Sequence, residues 1–320
     1  MTQPLGGPVS GATSYRIGVV GAGRVGAVLA AALRSAGHEI VAAAGESGAS
    51  LTRIETLLPG VPAAKPSAVA RACDVLLLTV PDDMLRNVVE MLTASGAIRS
   101  GQYVVHTSGR HGLDVLAAAT AVGARPVAMH PAMTFTGTDL DLDRLAGCVF
   151  GVTAGDTEKS FTEALVADLG GRAMWVPEER RTLYHAGLAH GANHLVTLVS
   201  EALEMLAAAG ADQPADTLRP LLVAALVNAL NYGDAALTGP IVRGDVNTIR
   251  AHLADLRASA PHTLPSYVAM ARATLARAVA DGRLLPIRAA KISGLLDAAA
   301  AGIPGAAEPR PGVVDRARLR

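Results

Sequence analysis

A short apolar run, Arg16-Ile17-Gly18-Val19-Val20, ends in the turn Gly21-Ala22-Gly23-Arg24-Val25-Gly26, and helical composition follows from Val25 to Ser35. No other feature constrains the fold as much. Glycines at this spacing, between a strand and a helix, have separate jobs. Gly21 permits a tight turn, Gly23 lets the backbone approach a pyrophosphate, and Gly26 lets helix and strand pack closely. The phosphates then sit at the positive end of the helix beginning near Arg24. Gly37 ends that helix, and Glu39 to Ala44 is the next strand candidate. The result is a β–turn–α–β unit of about 30 residues, as a dinucleotide-binding half requires. The turn predicts a nicotinamide cofactor, with Gly21, Gly23, Arg24, Val25 and Gly26 among its contacts.

The alternation continues. Asp74 to Val80 reads as a fully buried strand, its Val75–Leu78 core being the continuous apolar run of a parallel strand covered on both faces. Further strands are predicted at Tyr103–His106, Arg125–Met129, Cys148–Val152 and Ala173–Val176, with helices between several of them, including Thr157–Leu169. Right-handed crossovers then give an open, mostly parallel, doubly wound α/β sheet. After Pro177 the character changes: long Ala/Leu-rich stretches run from Arg181 to Ala300 without a convincing strand. Gly210 stops the first long helix, Pro214 follows it, and Asp245 is placed to cap a helix starting near Val246. The predicted organisation is a loose tail at 1–15, a Rossmann domain at 16–178, an all-α substrate and dimerisation domain at 179–302, and a second loose tail at 303–320.

Composition narrows the partners. Half of the 320 residues are hydrophobic, but the excess is mostly alanine. No apolar run approaches the roughly 20 residues of a bilayer span. The first 14 residues lack the basic start and apolar core of an export signal, which points to a cytoplasmic protein. Lys and Arg balance Asp and Glu at 28 each. That argues against nucleic acid and against a polybasic membrane contact, and it leaves small molecules. Cys73 and Cys148 share no close spacing and are expected to be buried free thiols. The chain has only three lysines, Lys65, Lys159 and Lys291, so a mechanism needing a catalytic lysine has few places to find one.

Glu46 lies where an acid would bind a ribose 2′-hydroxyl and favour NAD(H). Ser47, Ser50 and Arg53 could instead hold the 2′-phosphate of NADP(H), and local sequence leaves the choice even. Ser50 could equally cap a helix, with Arg53 on its solvated face. In an open parallel sheet the C-terminal strand ends face the cofactor crevice. That places Thr79, Val80, Pro81 and Ser108 on the cofactor, and His106 and His130 toward the substrate. Either histidine could equally anchor its own loop.

The substrate side is expected on the first helix of the second domain. His190, Asn193 and His194 are three and four apart and share one helical face. Their alternatives are a hydrogen-bonded polar cluster or a His-x3-His metal pair, but no acid completes a zinc motif, so no metal is expected. Carbonyl reduction needs a proton donor beside the hydride donor; His190 suits that role and Asn193 can orient the carbonyl. Arg243, before Gly244 and Asp245, is the candidate for a substrate carboxylate.

Taken together, several motifs resemble one family. They are the glycine turn, Thr79-Val80-Pro81-Asp82, His106-Thr107-Ser108-Gly109, and His130-Pro131-Ala132-Met133-Thr134-Phe135. His190 with Asn193-His194, and Gly239-Pro240 with Arg243-Gly244-Asp245, complete the set. The family is that of Rossmann-like proteins whose helical C-terminal domain was long catalogued as of unknown function, and it includes PanG-type ketopantoate reductases. More distantly the chain is similar to the 6-phosphogluconate, β-hydroxyacid and prephenate dehydrogenases. The resemblance implies NADP(H) and reduction of a 2-oxo acid such as ketopantoate. It implies His130, His194, Arg243 and Asp245 near the substrate. The β-hydroxyacid dehydrogenases and the usual ketopantoate reductases, also similar, carry a lysine with an asparagine on the corresponding interdomain helix; this chain has no lysine there, so His190 would take the lysine's role. Glu46 is a second departure. The alternatives are a hydroxy-acid or prephenate-like dehydrogenase and a non-catalytic NADP-binding regulator. A homodimer through the apolar helical domain is the expected assembly.

Overall fold

The computed structural model describes residues 13–301. The tail at 303–320 and most of the one at 1–15 lie outside that range. Tyr15 does not belong to a loose tail: its ring packs edge-on against Phe161 at 5.3 Å, and its N–H donates to His38 Nδ1. Burying an aromatic side chain anchors the backbone immediately before the first strand.

β1 (Arg16–Val20) runs into the glycine turn, α1 (Arg24–Ser35) leaves it, and β2 (Glu39–Ala44) returns. After α2 (Gly48–Leu57) and α3 (Pro66–Ala72) come β3 (Val75–Leu78), α4 (Asp82–Ala94) and β4 (Tyr103–His106). The short α5 (Ala117–Ala121) precedes β5 (Arg125–Pro131), and α6 (Leu140–Leu145) precedes β6 (Val149–Ala154). α7 (Lys159–Asp168) and β7 (Arg172–Trp175) complete a seven-stranded sheet in the order β2-β1-β3-β4-β5-β6-β7. β5 and β6 pair antiparallel and every other pair is parallel. Strand order reverses between β1 and β3, which makes that crevice the topological switch point where such sheets bind ligands.

Two apolar clusters cover the two faces of the sheet. One is built around Ile17, Val19, Leu77 and Phe150, and the other around Val20, Leu76, Leu78 and Val104. Alternate residues of one strand feed opposite clusters, and this is why β3 reads as an unbroken apolar run. Cys73 and Cys148 are buried free thiols, and burial pushes Cys73 up to about 11.

The helical part contains α8 (Arg181–Ala208), α9 (Pro214–Tyr232), α10 (Val246–Ser259), α11 (Leu264–Ala280) and α12 (Pro286–Ala301). The chain divides into two compact units at Gly191/Ala192, later than the change of composition at Pro177. The first turns of α8 belong to the sheet-containing unit because Arg181 is buried in it. In the second unit α10, α11 and α12 share a core built on Ile249, Leu253, Val268, Leu275, Ile292 and Leu296. Gly210, at φ +92°, closes α8, and Pro214 opens α9 at a position where its missing N–H costs nothing. Among the described residues no helix is long and apolar enough to cross a membrane.

Candidate functional site

A cavity of about 990 Å³ crosses the C-terminal ends of β2, β1, β3 and β4. Its walls follow the strand order. Ala44, Gly45, Glu46 and Ser47 come from the end of β2, and Gly21, Gly23, Arg24 and Val25 from the glycine turn. Thr79, Val80, Pro81 and Asp82 follow from β3, and Thr107 and Ser108 from β4. Ser50 and Lys65 complete the end nearest β2.

The glycines of the turn serve three different needs. Gly21 sits at φ +98°, and a Cβ there would also lie 2.7 Å from the Thr79 carbonyl carbon. A Cβ on Gly26 would meet Thr79 Oγ1 at 2.2 Å and the Gly21 oxygen at 2.6 Å, so Gly26 lies behind the cavity and sets the α1–β3 approach. Gly23 is different: its φ is −77°, and the nearest atom to an added Cβ is 3.8 Å away. Neither strain nor crowding explains Gly23, so its missing side chain leaves room on the cavity side. The α1 N-terminus has no side-chain cap and no acid in its first turn. Its free N–H groups and dipole suit an anion at that point. The cradle therefore fits the pyrophosphate of a dinucleotide.

Near β2 the charges are mixed. Ser47 caps α2, accepting from Ser50 N at 3.1 Å, and its hydroxyl bonds Ser50 Oγ at 2.9 Å. Arg24 and Arg53 run side by side past Gly137, where a built Cβ would lie 2.6 Å from Arg24 Cγ and 2.7 Å from Arg53 Nε. Arg53 itself does not line the cavity and donates to the Ala49 carbonyl. Lys65 does line it, a cation the motif reading passed over because it precedes a separate helix. Glu46 is the opposing charge.

His106 anchors its own loop, the alternative that the sequence left open. It is fully buried, accepts from Ser108 N at Nδ1, and reaches the Gly112 carbonyl through Nε2 at 2.9 Å. Both nitrogens are thus engaged by the backbone it shapes, and burial pulls its pKa down to about 3. Ser108 Oγ accepts from His111 N within the same loop.

His130 belongs to a cluster that sequence spacing did not show. Its Nδ1 is 2.9 Å from the Tyr184 hydroxyl, and its ring meets that of His185 edge-on at 5.8 Å. Burial, then His185 and Arg181, lower its pKa to about 4. Two glycines make room for the α8 residues. A Cβ on Gly151 would lie 2.5 Å from the Tyr184 ring, and one on Gly109 would lie 2.5 Å from His185 Cδ2. Beneath them the Arg181 guanidinium is wholly buried, donating to the Ser108 carbonyl at 2.7 Å, Thr153 Oγ1 at 3.0 Å and the Gly151 carbonyl at 3.3 Å. A Tyr-His pair in the first turn of an otherwise Ala/Leu-rich helix was the available signal.

His190 is exposed on α8 and does not line the cavity. Asn193 and His194 are also exposed and share its helical face, but they fall in the second unit. Arg243 and Asp245 are in that unit too. Asp245 caps α10, accepting from Thr248 N at 3.1 Å and Thr248 Oγ1 at 2.7 Å. Both its oxygens are engaged there, in the cap predicted for the helix starting at Val246. Among the described residues no group of His, Cys, Asp and Glu is assembled that could hold a metal ion.

Residues 1–131 match the model of a Rossmann-like domain, and residues 148–274 match that of a domain of unknown function, DUF2520. No curated protein matches the chain. Among solved structures it is similar to BF3122 of Bacteroides fragilis, named as a candidate NADP oxidoreductase. The TM-score is 0.67 at 22% identity, over 82% of this chain and 98% of that one. It is also similar to TM1727 of Thermotoga maritima, with TM-score 0.61 at 18% identity over 83% and 99%. A reductive aminase of Aspergillus terreus, solved with NADPH and ethyl levulinate, gives 0.59 at 18% over 88% and 99%.

Proposed function

We propose that the protein is an NADP(H)-dependent oxidoreductase that reduces a small 2-oxo acid, with ketopantoate the first candidate. The observation that carries the reading is the cavity at the β1/β3 switch point. Its wall contains a glycine that crowding does not require and an uncapped helix N-terminus free of acids. Arg24 and Lys65 at the β2 end favour a 2′-phosphate over a bare ribose, against the single charge of Glu46. The fold shared with the NADPH-bound reductive aminase supports the same cofactor.

The cofactor would lie across Gly21–Val25 and reach toward Ser108, and when bound it supplies the hydride. This chain must hold the substrate carbonyl and deliver a proton to its oxygen. His190 and Asn193 are the pair proposed for those roles, since an imidazole near neutral pH can give a proton and an amide can orient a carbonyl. Purified protein with NADPH should consume the reduced nicotinamide when ketopantoate or a related 2-oxo acid is added, and His190→Ala should lower the rate about a hundredfold. Product analysis with NADP and a hydroxy-acid panel separates this direction from the reverse. NADPH binding without turnover of any acid, oxo or hydroxy, would refute the assignment in favour of a regulatory protein.

A further inference from the structure

Arg181 is the only charged side chain among the described residues whose relative exposure is zero without an acidic hydrogen-bond partner or ion pair. Its three hydrogen bonds go to two carbonyls and a hydroxyl, and its Nε–H is buried with no partner among the described residues. A cation in such a setting keeps most of its field, because neutral dipoles offset its desolvation without cancelling its charge. The field is felt nearby: Arg181 contributes to the low pKa of both His106 and His130.

The groups in front of it are donors. Tyr184 and His185 stand one helical step above Arg181, seated in the spaces that Gly151 and Gly109 leave open. Neither ring nitrogen of the half-buried His185 has a hydrogen-bond partner among the described residues. His130 receives or gives one hydrogen bond through Nδ1, and its Nε2 has none. The backbone links this cluster to the cavity, since the Ser108 carbonyl holds Arg181 while Ser108 also lines the cavity wall. That is the end farthest along the strand order from Ser47.

We propose that Arg181, His130, Tyr184 and His185 form the subsite that holds the carboxylate of a small oxo acid, an assignment that rests on the reductase reading above. The imidazole and phenol groups supply the direct hydrogen bonds. Arg181 is a positioning residue: it fixes the Ser108 loop against β6 and supplies positive potential from below. This places carboxylate recognition in the first turn of α8, within the sheet-containing unit, instead of on Arg243.

The test is calorimetric titration of the full chain with oxamate, a non-reducible analogue of a 2-oxo acid, in the presence of saturating NADP. Wild type should bind oxamate. His185→Ala should weaken that binding about tenfold or more, with NADPH affinity kept within about twofold of wild type, and His185→Gln should restore part of it. If His185→Ala fails to fold, Gly109→Ala crowds the same ring in place and should also weaken oxamate without displacing NADPH. Unchanged oxamate affinity in these variants would overturn the subsite, as would a wild type that binds NADPH and no oxamate. A wild type that binds no nicotinamide nucleotide would instead refute the reductase reading on which the subsite rests.

Discussion

The Thr79 hydroxyl donates to the Gly21 carbonyl at 2.6 Å, and this bond ties the end of β3 to the first residue of the glycine turn. Gly26 sits directly against that bond, with room for no Cβ. Gly26→Ala should therefore force α1 away from β3. Overpacking of this kind costs roughly 1–3 kcal/mol, so thermal or urea denaturation should show a clear loss of stability, and nucleotide binding should fall with it.

Acid should destabilise the protein through His106 and His130. Their folded-state pKa values, about 3 and about 4, lie below the ordinary histidine value near 6.5. Between those limits the unfolded chain binds more protons than the folded one, so stability is full above about pH 6.5 and falls as pH drops toward 4. Urea midpoints measured from pH 7.5 to pH 4.5 should decline. His106→Asn, which removes one titrating group, should decline less steeply from a lower starting stability.

α9 predicts a homodimer. None of its 19 residues is buried, and Leu221 and Leu230 are 68% and 79% exposed although Arg219 is the only charge after Asp216. A helix apolar all round belongs in an interior. The same surface on a second copy is a partner of matching chemistry, as a two-fold interface requires. Sedimentation equilibrium should give twice the chain mass, and Leu226→Glu with Leu230→Glu should give monomer or aggregate. A monomeric wild type at micromolar concentration would contradict this.

Nucleotide choice should follow the charges near β2. Arg24→Ala should weaken NADPH about tenfold, the worth of a charge-assisted contact, and leave NADH nearly unchanged. Glu46→Ser should shift the preference further toward NADPH. Equal loss of both nucleotides in Arg24→Ala would show that Arg24 serves the pyrophosphate instead.

The parts of the fold that local chemistry dictates were readable in the sequence. The glycine turn, the continuous apolar strands and the change to Ala/Leu-rich helices each follow from period and composition, and the structure shows an α/β sheet followed by helices. The reversed direction of β6 was not readable, because a buried strand has the same apolar pattern in either orientation and the connection from β5 is too long to mark a hairpin. The Tyr184–His185 cluster was hidden for a related reason. Its seat is made by Gly109 and Gly151, which lie on other elements, and nothing in helical spacing shows that α8 begins against them. His106 was ambiguous because a histidine at a strand end can serve substrate or loop, and only its two backbone partners decide.

Whether the crevice at the glycine turn holds a nicotinamide dinucleotide is decided by calorimetric titration of wild type and Gly23→Val with NADPH. Gly23 has ordinary backbone angles and open space where a side chain would go, so the variant should fold with a near-normal melting temperature. One NADPH should bind per wild-type chain, with affinity at least about tenfold lower in the variant. Absence of binding in wild type, or equal affinity in both proteins, would contradict this.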